Sequence, residues 1–237
     1  MLSIIMPVYN EETTLAQTVA KVLAAECPLE KELILVNDCS ADRSGSLAEE
    51  LARNDSRIRV FHHKVNQGKG AGIRTAIEQL CGQYAIIQDA DLEYDPAEYG
   101  ILLEPMLSGA ADIVYGSRFL NRYDRTKYHP QRTKGLLSSV VANRVLTVFT
   151  NLLSGTRLTD METCYKLVPA RILRQLALTS GRFGVEPEIT ARLAKLRLRI
   201  REVPISYFPR AHSEGKKINW KDGLAALWHI FRFNVLD

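Results

Sequence analysis

Apolar residues in the first ninety positions arrive as short blocks, each followed by a stretch of helical spacing. Leu2 to Met6 is such a block. Pro7-Val8-Tyr9-Asn10 breaks it, and Asn10 is placed to cap a helix carrying Leu15, Val19, Val22 and Leu23 on one face. Glu32 to Asn37 predicts a second buried strand, Asp38 to Asp42 a polar loop, and Ser46 to Arg53 a second helix. Ile58 to His62 makes a third strand, followed by the loop Asn66-Gln67-Gly68-Lys69-Gly70 and a helix through Ala71, Ile73, Ile77 and Leu80. Tyr84 to Gln88 is the fourth strand. This alternation predicts an α/β fold, a doubly wound, mostly parallel sheet with helices on both faces, whose ligand lies beyond the C-terminal ends of the strands. Pro7, Tyr9, Glu11, Asp38, Asp89 and Asp91 then converge on one rim although they are far apart in the chain.

After a short strand at Asp112 to Tyr115 the rhythm loosens. A helix over Leu136 to Leu153 gathers Leu137, Val140, Val141, Val148 and Leu152 on one side, and Trp220 to Phe233 gathers Leu224, Leu227, Trp228 and Phe231. Core packing is the default for both stripes; contact with a bilayer's headgroup layer is the alternative.

Composition narrows the class. At 237 residues and 46% hydrophobic content the chain can build one large core. A net charge of +4 argues against a general nucleic-acid binder, although the basic residues gather toward the C-terminal half. The four cysteines form no CxxC and no zinc set with the five histidines, so reduced thiols in the cytoplasm are expected. The N-terminus lacks a basic signal-peptide region, and no window approaches the roughly 20 apolar residues of a membrane span. A soluble chain is expected, or one peripheral at the cytoplasmic face of a membrane.

The chemistry concentrates in Ile86-Ile87-Gln88-Asp89-Ala90-Asp91-Leu92-Glu93-Tyr94-Asp95-Pro96. Carboxylates this close repel, so a positive partner is required. In an extended segment Asp89, Asp91 and Glu93 share a face while Ala90 and Leu92 pack behind. Hard oxygens in that pattern suit Mg²⁺ or Mn²⁺ shared with a diphosphate. Asp95 instead reads as the cap of a helix after Pro96. Gly68 to Gly72 lacks the third glycine of a dinucleotide loop and the ending of a P-loop, leaving Lys69 as a candidate for the diphosphate.

The pieces MPVYNEE, LVNDCSADRS, NQGKGAGIRTAI, QDADLEYDP, IVYGSRF, TDMETCYKL and RAHSEGKKINWKDG occur in this order. As an ordered set they resemble the inverting family 2 glycosyltransferases, in particular the dolichyl- and polyprenyl-phosphate sugar synthase branch. The resemblance implies a single GT-A domain over 1–237, with a nucleotide-sugar half (1–115), an acceptor half (116–210) and a basic, amphipathic tail (211–237). It implies that Pro7, Tyr9, Glu11 and Asp38, with Lys69 and Ala90, hold a GDP- or UDP-hexose. Asp89, Asp91 and Glu93 would hold the metal; Glu93 stands where the branch often has Gln. Arg118, Arg132, Arg210, Lys216 and Lys217 would receive the phosphates of donor and lipid acceptor, while Arg122, Arg125 and Lys127 read as surface.

An acceptor hydroxyl needs a base, for which Asp160 is the candidate alongside the catalytic pair Asp91 and Arg118; a lipid phosphate needs none, and Asp160 and Glu162 would then orient arginines. Glu186 and Glu188 read equally as site lining and as helix N-terminal charge. Expected is metal-dependent transfer of a hexose to a polyprenyl-phosphate-like lipid. The rivals are transfer to a glycan hydroxyl, a non-catalytic sugar-nucleotide module and a nucleotidyltransferase. Contact with the membrane is expected to be peripheral or through a membrane-protein partner.

Overall fold

The structure, a computed structural model, describes residues 1–120, 136–182, 184–210 and 220–237. Arg132, Lys216 and Lys217, together with Arg122, Arg125 and Lys127, lie outside the described residues.

Strands β1 (Leu2–Val8), β2 (Lys31–Asn37), β3 (Ile58–His62), β4 (Tyr84–Ile87), β5 (Ile113–Ser117), β6 (Lys166–Pro169) and β7 (Ile200–Pro204) form one seven-stranded sheet in the order β3-β2-β1-β4-β6-β5-β7. β6 runs antiparallel to β4 and β5, and the other pairs are parallel. Parallel strands covered on both faces read as nearly continuous apolar runs, as β1 does: Leu2, Ile4, Ile5, Met6 and Val8 are all fully buried. The helices are α1 (Leu15–Ala24), α2 (Ser44–Asn54), α3 (Lys69–Glu78), α4 (Tyr99–Leu107), α5 (Leu136–Ser154), α6 (Ala170–Gln175), α7 (Val185–Lys195) and α8 (Trp220–Phe231). Leu15, Val19 and Val22 of α1 are wholly buried, at about 1.5–3 kcal/mol of transfer free energy each.

From β1 the chain steps outward through β2 to β3, then returns to the other side of β1 as β4. This reversal opens a crevice beyond the ends of β1 and β4, the place where such sheets bind ligands.

Asn10 does not cap α1, which begins only at Leu15. It sits at φ 52°, with its side chain accepting from the Ala41 amide at 2.8 Å and its amide donating to Ser40 Oγ at 3.0 Å. It therefore ties the loops after β1 and β2 together. Asp95 does cap, accepting from the Ala97 amide at 3.2 Å at the start of a short 3₁₀ turn.

The two later helices depart from the core-packed expectation. On α5 the side turned inward carries Asn143, Leu146, Thr147 and Thr150, while Val141, Val145, Val148 and Leu152 face solvent. On α8 Ala226 and Ile230 are buried, whereas Leu224, Trp228 and Phe231 are exposed and Leu227 is half-buried. Periodicity locates an apolar face but not what it meets. On α5 the inward place belongs to side chains that hydrogen-bond the loop before β6. Among the described residues no helix is long and apolar enough to cross a membrane.

Candidate active site

The end of β4 is fixed first. Gln88 is wholly buried; its amide donates to Ile5 O at 2.9 Å, and its Oε1 accepts from Tyr99 at 2.8 Å and Tyr165 at 2.7 Å. The next turn hangs on α1, where Ala90 O accepts from the Thr14 and Thr18 hydroxyls, both at 3.1 Å. Ala90 itself is buried, so it contributes to the site through its backbone.

Asp89 and Asp91 emerge from this turn toward different cations. Asp89 Oδ1 lies 2.8 Å from Lys69 Nζ at the start of α3, and the same ammonium lies 2.8 Å from Glu186 Oε1 at the start of α7. Burial alone would lower the lysine's pKa; the negative charge of Asp89 and Glu186 outweighs it and holds the ammonium charged well above its usual range. Asp91 Oδ2 meets Arg210 Nη2 at 2.6 Å, and Oδ1 accepts from the Glu93 amide at 3.0 Å. Arg210 also reaches Glu11 Oε2 at 2.9 Å, linking the loop after β1 to the segment after β7. Asp91 is nevertheless pushed up to about 7, first by burial and then by the charges of Asp89 and Glu93, which Arg210 offsets only in part. The sequence places a shared divalent ion between the two aspartates; in this structure each also has a protein cation beside it. Among the described residues no group of three or more His, Cys, Asp or Glu is arranged to hold a metal.

Glu93 differs from its expected place in a metal set. Its Oε2 accepts from Tyr207 at 2.8 Å and its Oε1 from the Arg210 amide at 2.8 Å, so it straps the post-β7 segment onto the acidic turn. Asp38 likewise serves the fold. It is 3% exposed; Oδ1 accepts from the Gln67 amide at 2.9 Å and lies 2.7 Å from His63 Nδ1, and Oδ2 accepts from the Gly68 amide at 2.7 Å. Pro7 is half-buried against α3 and Tyr9 is exposed at the rim, both at the β1 end of the crevice.

Arg118 and Asp160 form a closed fork. Nε and Nη2 each lie 2.7 Å from a carboxylate oxygen, the Arg118 amide donates to Oδ2 at 3.0 Å, and Asn143 of α5 donates to Oδ1 at 3.2 Å. Asp160 is fully buried. With four donors upon it, both its oxygens are engaged in holding the arginine. The guanidinium lies 4.9 Å over the Tyr207 ring, and its Nη1 edge is the one Asp160 does not use.

Glu162 is a different kind of carboxylate. Its Oε1 is buried without a hydrogen-bond partner, and burial followed by the charge of Glu186 pushes it up to about 7 against Lys166 and Arg118. Glu186 and Glu188, open between two readings in the sequence, divide the work. Glu186 joins the Lys69 cluster, while Glu188 accepts from Thr179 and Ser180 amides at 2.8 and 2.7 Å and so closes the loop before α7. Sequence reasoning missed Gln88 and Tyr207 altogether. A glutamine ending an apolar run was the available signal for the first; nothing around Tyr207 marks it.

A doubly wound sheet with a pair of aspartates at its switch point defines the class: a GT-A-like α/β fold. Glucosyl-3-phosphoglycerate synthase from Mycobacterium tuberculosis, solved with Mn²⁺, UDP and glucosyl-3-phosphoglycerate, superposes with a TM-score of 0.65 at 17% identity, covering 99% of this chain and 80% of that one. The chain belongs to glycosyl transferase family 2, whose family model matches residues 3–176, and it is a glycosyltransferase. Over 248 residues it is 29% identical to undecaprenyl-phosphate mannosyltransferase of Micrococcus luteus, with 96% of each chain covered. It is 28% identical to polyprenol monophosphomannose synthase of Mycolicibacterium smegmatis, covering 87% of this chain and 77% of that one. Several other relatives are longer, and the chain spans only 34% to 62% of their length.

Proposed function

We propose that this glycosyltransferase moves a hexose, with inversion, from a nucleoside diphosphate sugar to the phosphate of a polyprenyl-type lipid. The observation that carries the reading is the pairing of Asp89 with Lys69 and Asp91 with Arg210 at the sheet's switch point, with Arg118 held in place by Asp160. These cations are the partners a diphosphate and an acceptor phosphate would recruit. The names of the two lipid-phosphate mannosyltransferase relatives favour a lipid phosphate over a glycan hydroxyl. Residues 1–115 take the donor and 116–210 the acceptor.

A divalent ion fits this turn: Asp89 and Asp91 are hard oxygen donors, and Asp91 is driven up first by burial and then by the charges of Asp89 and Glu93, which Arg210 offsets only in part. Those two residues would hold Mg²⁺ or Mn²⁺, which would supply charge neutralisation for the departing diphosphate. Glu93 is taken up by Tyr207 and Arg210. Arg210 and Lys69 exchange carboxylate partners for phosphate oxygens, and Arg118 offers its Nη1 edge to the acceptor phosphate. An anionic phosphate attacks without a base, which agrees with Asp160 being fully occupied.

A hydroxyl acceptor would need a base, and Glu162, half-buried with its Oε1 sealed and without a hydrogen-bond partner and its pKa pushed up to about 7, is the carboxylate that favours this second reading. The test is donor turnover with and without polyprenyl phosphate. Release of nucleoside diphosphate only with the lipid, and a product cleaved by mild acid, is expected. An acid-stable glycoside favours the hydroxyl reading, and pyrophosphate release overturns both.

A further inference from the structure

Of the sixteen large apolar side chains exposed among the described residues, nine lie on α5, α8 and the final turn: Val141, Val145, Val148, Leu152, Leu224, Trp228, Phe231, Val235 and Leu236. α5 and α8 pack on each other and both pack on α7, so their outward stripes are neighbours. On α5 the polarity is reversed. Asn143 and Thr147 point inward, where Thr147 Oγ1 accepts from the Met161 amide at 3.1 Å, and valines point outward. A helix whose outer face met water would be built the other way round. α8 is apolar on both sides, the pattern of a helix covered on both.

We infer that this two-helix face docks on the surface of an anionic lipid bilayer. Charge selects that occupant. From Leu136 to Thr159 the charged residues are Arg144 and Arg157, both exposed; from Trp220 to Asp237 they are Lys221, Asp222, Arg232 and Asp237. Cations thus outnumber acids four to two along the two segments that carry the valine, leucine and aromatic stripe, the balance of a surface that sits among anionic headgroups. Trp228 and Phe231, 6.2 Å apart, supply aromatic bodies suited to the headgroup layer. The inner face of α5 carries Asn143, which holds Asp160 and through it Arg118, so the docked helix is also the one that sets the acceptor-side arginine. The docking draws on the proposed function only in that the acceptor is lipid-borne.

The test is co-sedimentation of the full chain with vesicles of phosphatidylcholine alone and of phosphatidylcholine mixed with phosphatidylglycerol, without donor or polyprenyl phosphate. Binding to the anionic vesicles, weakened by salt, is expected. Val148→Glu and Trp228→Glu, made singly so that either decides if the other misfolds, should each weaken partitioning at least tenfold. Ile101→Glu, on an exposed site of α4, should leave it unchanged. No vesicle binding by the native chain, or equal binding by the folded variants, overturns the inference. So does a concentration-dependent dimer that these variants dissociate in the absence of vesicle binding. Transfer activity in detergent is read separately, so that vesicle binding can fail while the proposed reaction stands, and the reverse.

Discussion

Asp160→Asn separates an orienting carboxylate from a catalytic base. In the native protein four donors converge on Asp160: the Nε, Nη2 and amide of Arg118 and the side-chain amide of Asn143. The substitution keeps the shape but turns one oxygen into a donor facing a guanidinium donor, and it leaves the Arg118 charge uncompensated. Breaking a buried pair from one side costs about 3–5 kcal/mol. For a chain of this size that corresponds to a Tm lower by about 6–20 °C. A second variant, Arg118→Met with Asp160→Leu, removes both charges and should recover most of the lost stability but not the activity. Thermal and urea unfolding give the first quantity; initial rates over a range of acceptor concentrations and pH give the second. An orienting role predicts a raised acceptor KM and an unchanged pH profile. If Asp160→Asn unfolds like the native protein and instead loses kcat together with one limb of the pH profile, the assignment is refuted.

Arg210→Ala removes the guanidinium shared by Glu11 and Asp91; calorimetric Mn²⁺ titration of the donor-free protein should show tighter binding, while turnover falls at least tenfold. Gly70→Ala places a Cβ 2.2 Å from Ser180 O, a backbone atom, so the start of α3 must shift; a stability loss of about 1–3 kcal/mol is expected in urea unfolding. Glu32 is held below its ordinary 4.5: burial would raise it, but hydrogen bonds from Ser3, Cys81 and Gly82 and the charge of Arg59 prevail. A depressed carboxylate contributes stability that is present above the unfolded-state pKa and lost as pH falls through the lower folded value. Glu32→Gln should therefore flatten the fall in Tm below about pH 4.5, and an unchanged acid limb would count against this account.

The α/β alternation and the rim of Pro7, Tyr9, Glu11, Asp38 and the Asp89 turn were legible because parallel strands must be apolar and their C-terminal ends must meet at one edge. What the sequence could not show was which charge faces which. The acidic turn called for a cation, and the obvious candidate was a metal. Lys69 and Arg210 stand beside the same carboxylates, one from 20 residues upstream of Asp89 and the other from 119 residues beyond Asp91. Pairings of that span depend on how β7 lies in the sheet, and local pattern carries no trace of them. Helix α5 misled for a related reason: a stripe of valines and leucines reads as core unless one knows that Asn143 and Thr147 are needed inside to hold the loop at Asp160.

The loop between β3 and α3 has its amides fastened by Asp38, with no ligand needed to order it. A wall already rigid spares an incoming molecule the entropic toll of ordering it, about 1–2 kcal/mol for each residue whose backbone would otherwise be fixed on binding. Mutating Asp38 would consequently weaken capture of the proposed donor even if that carboxylate never touches it.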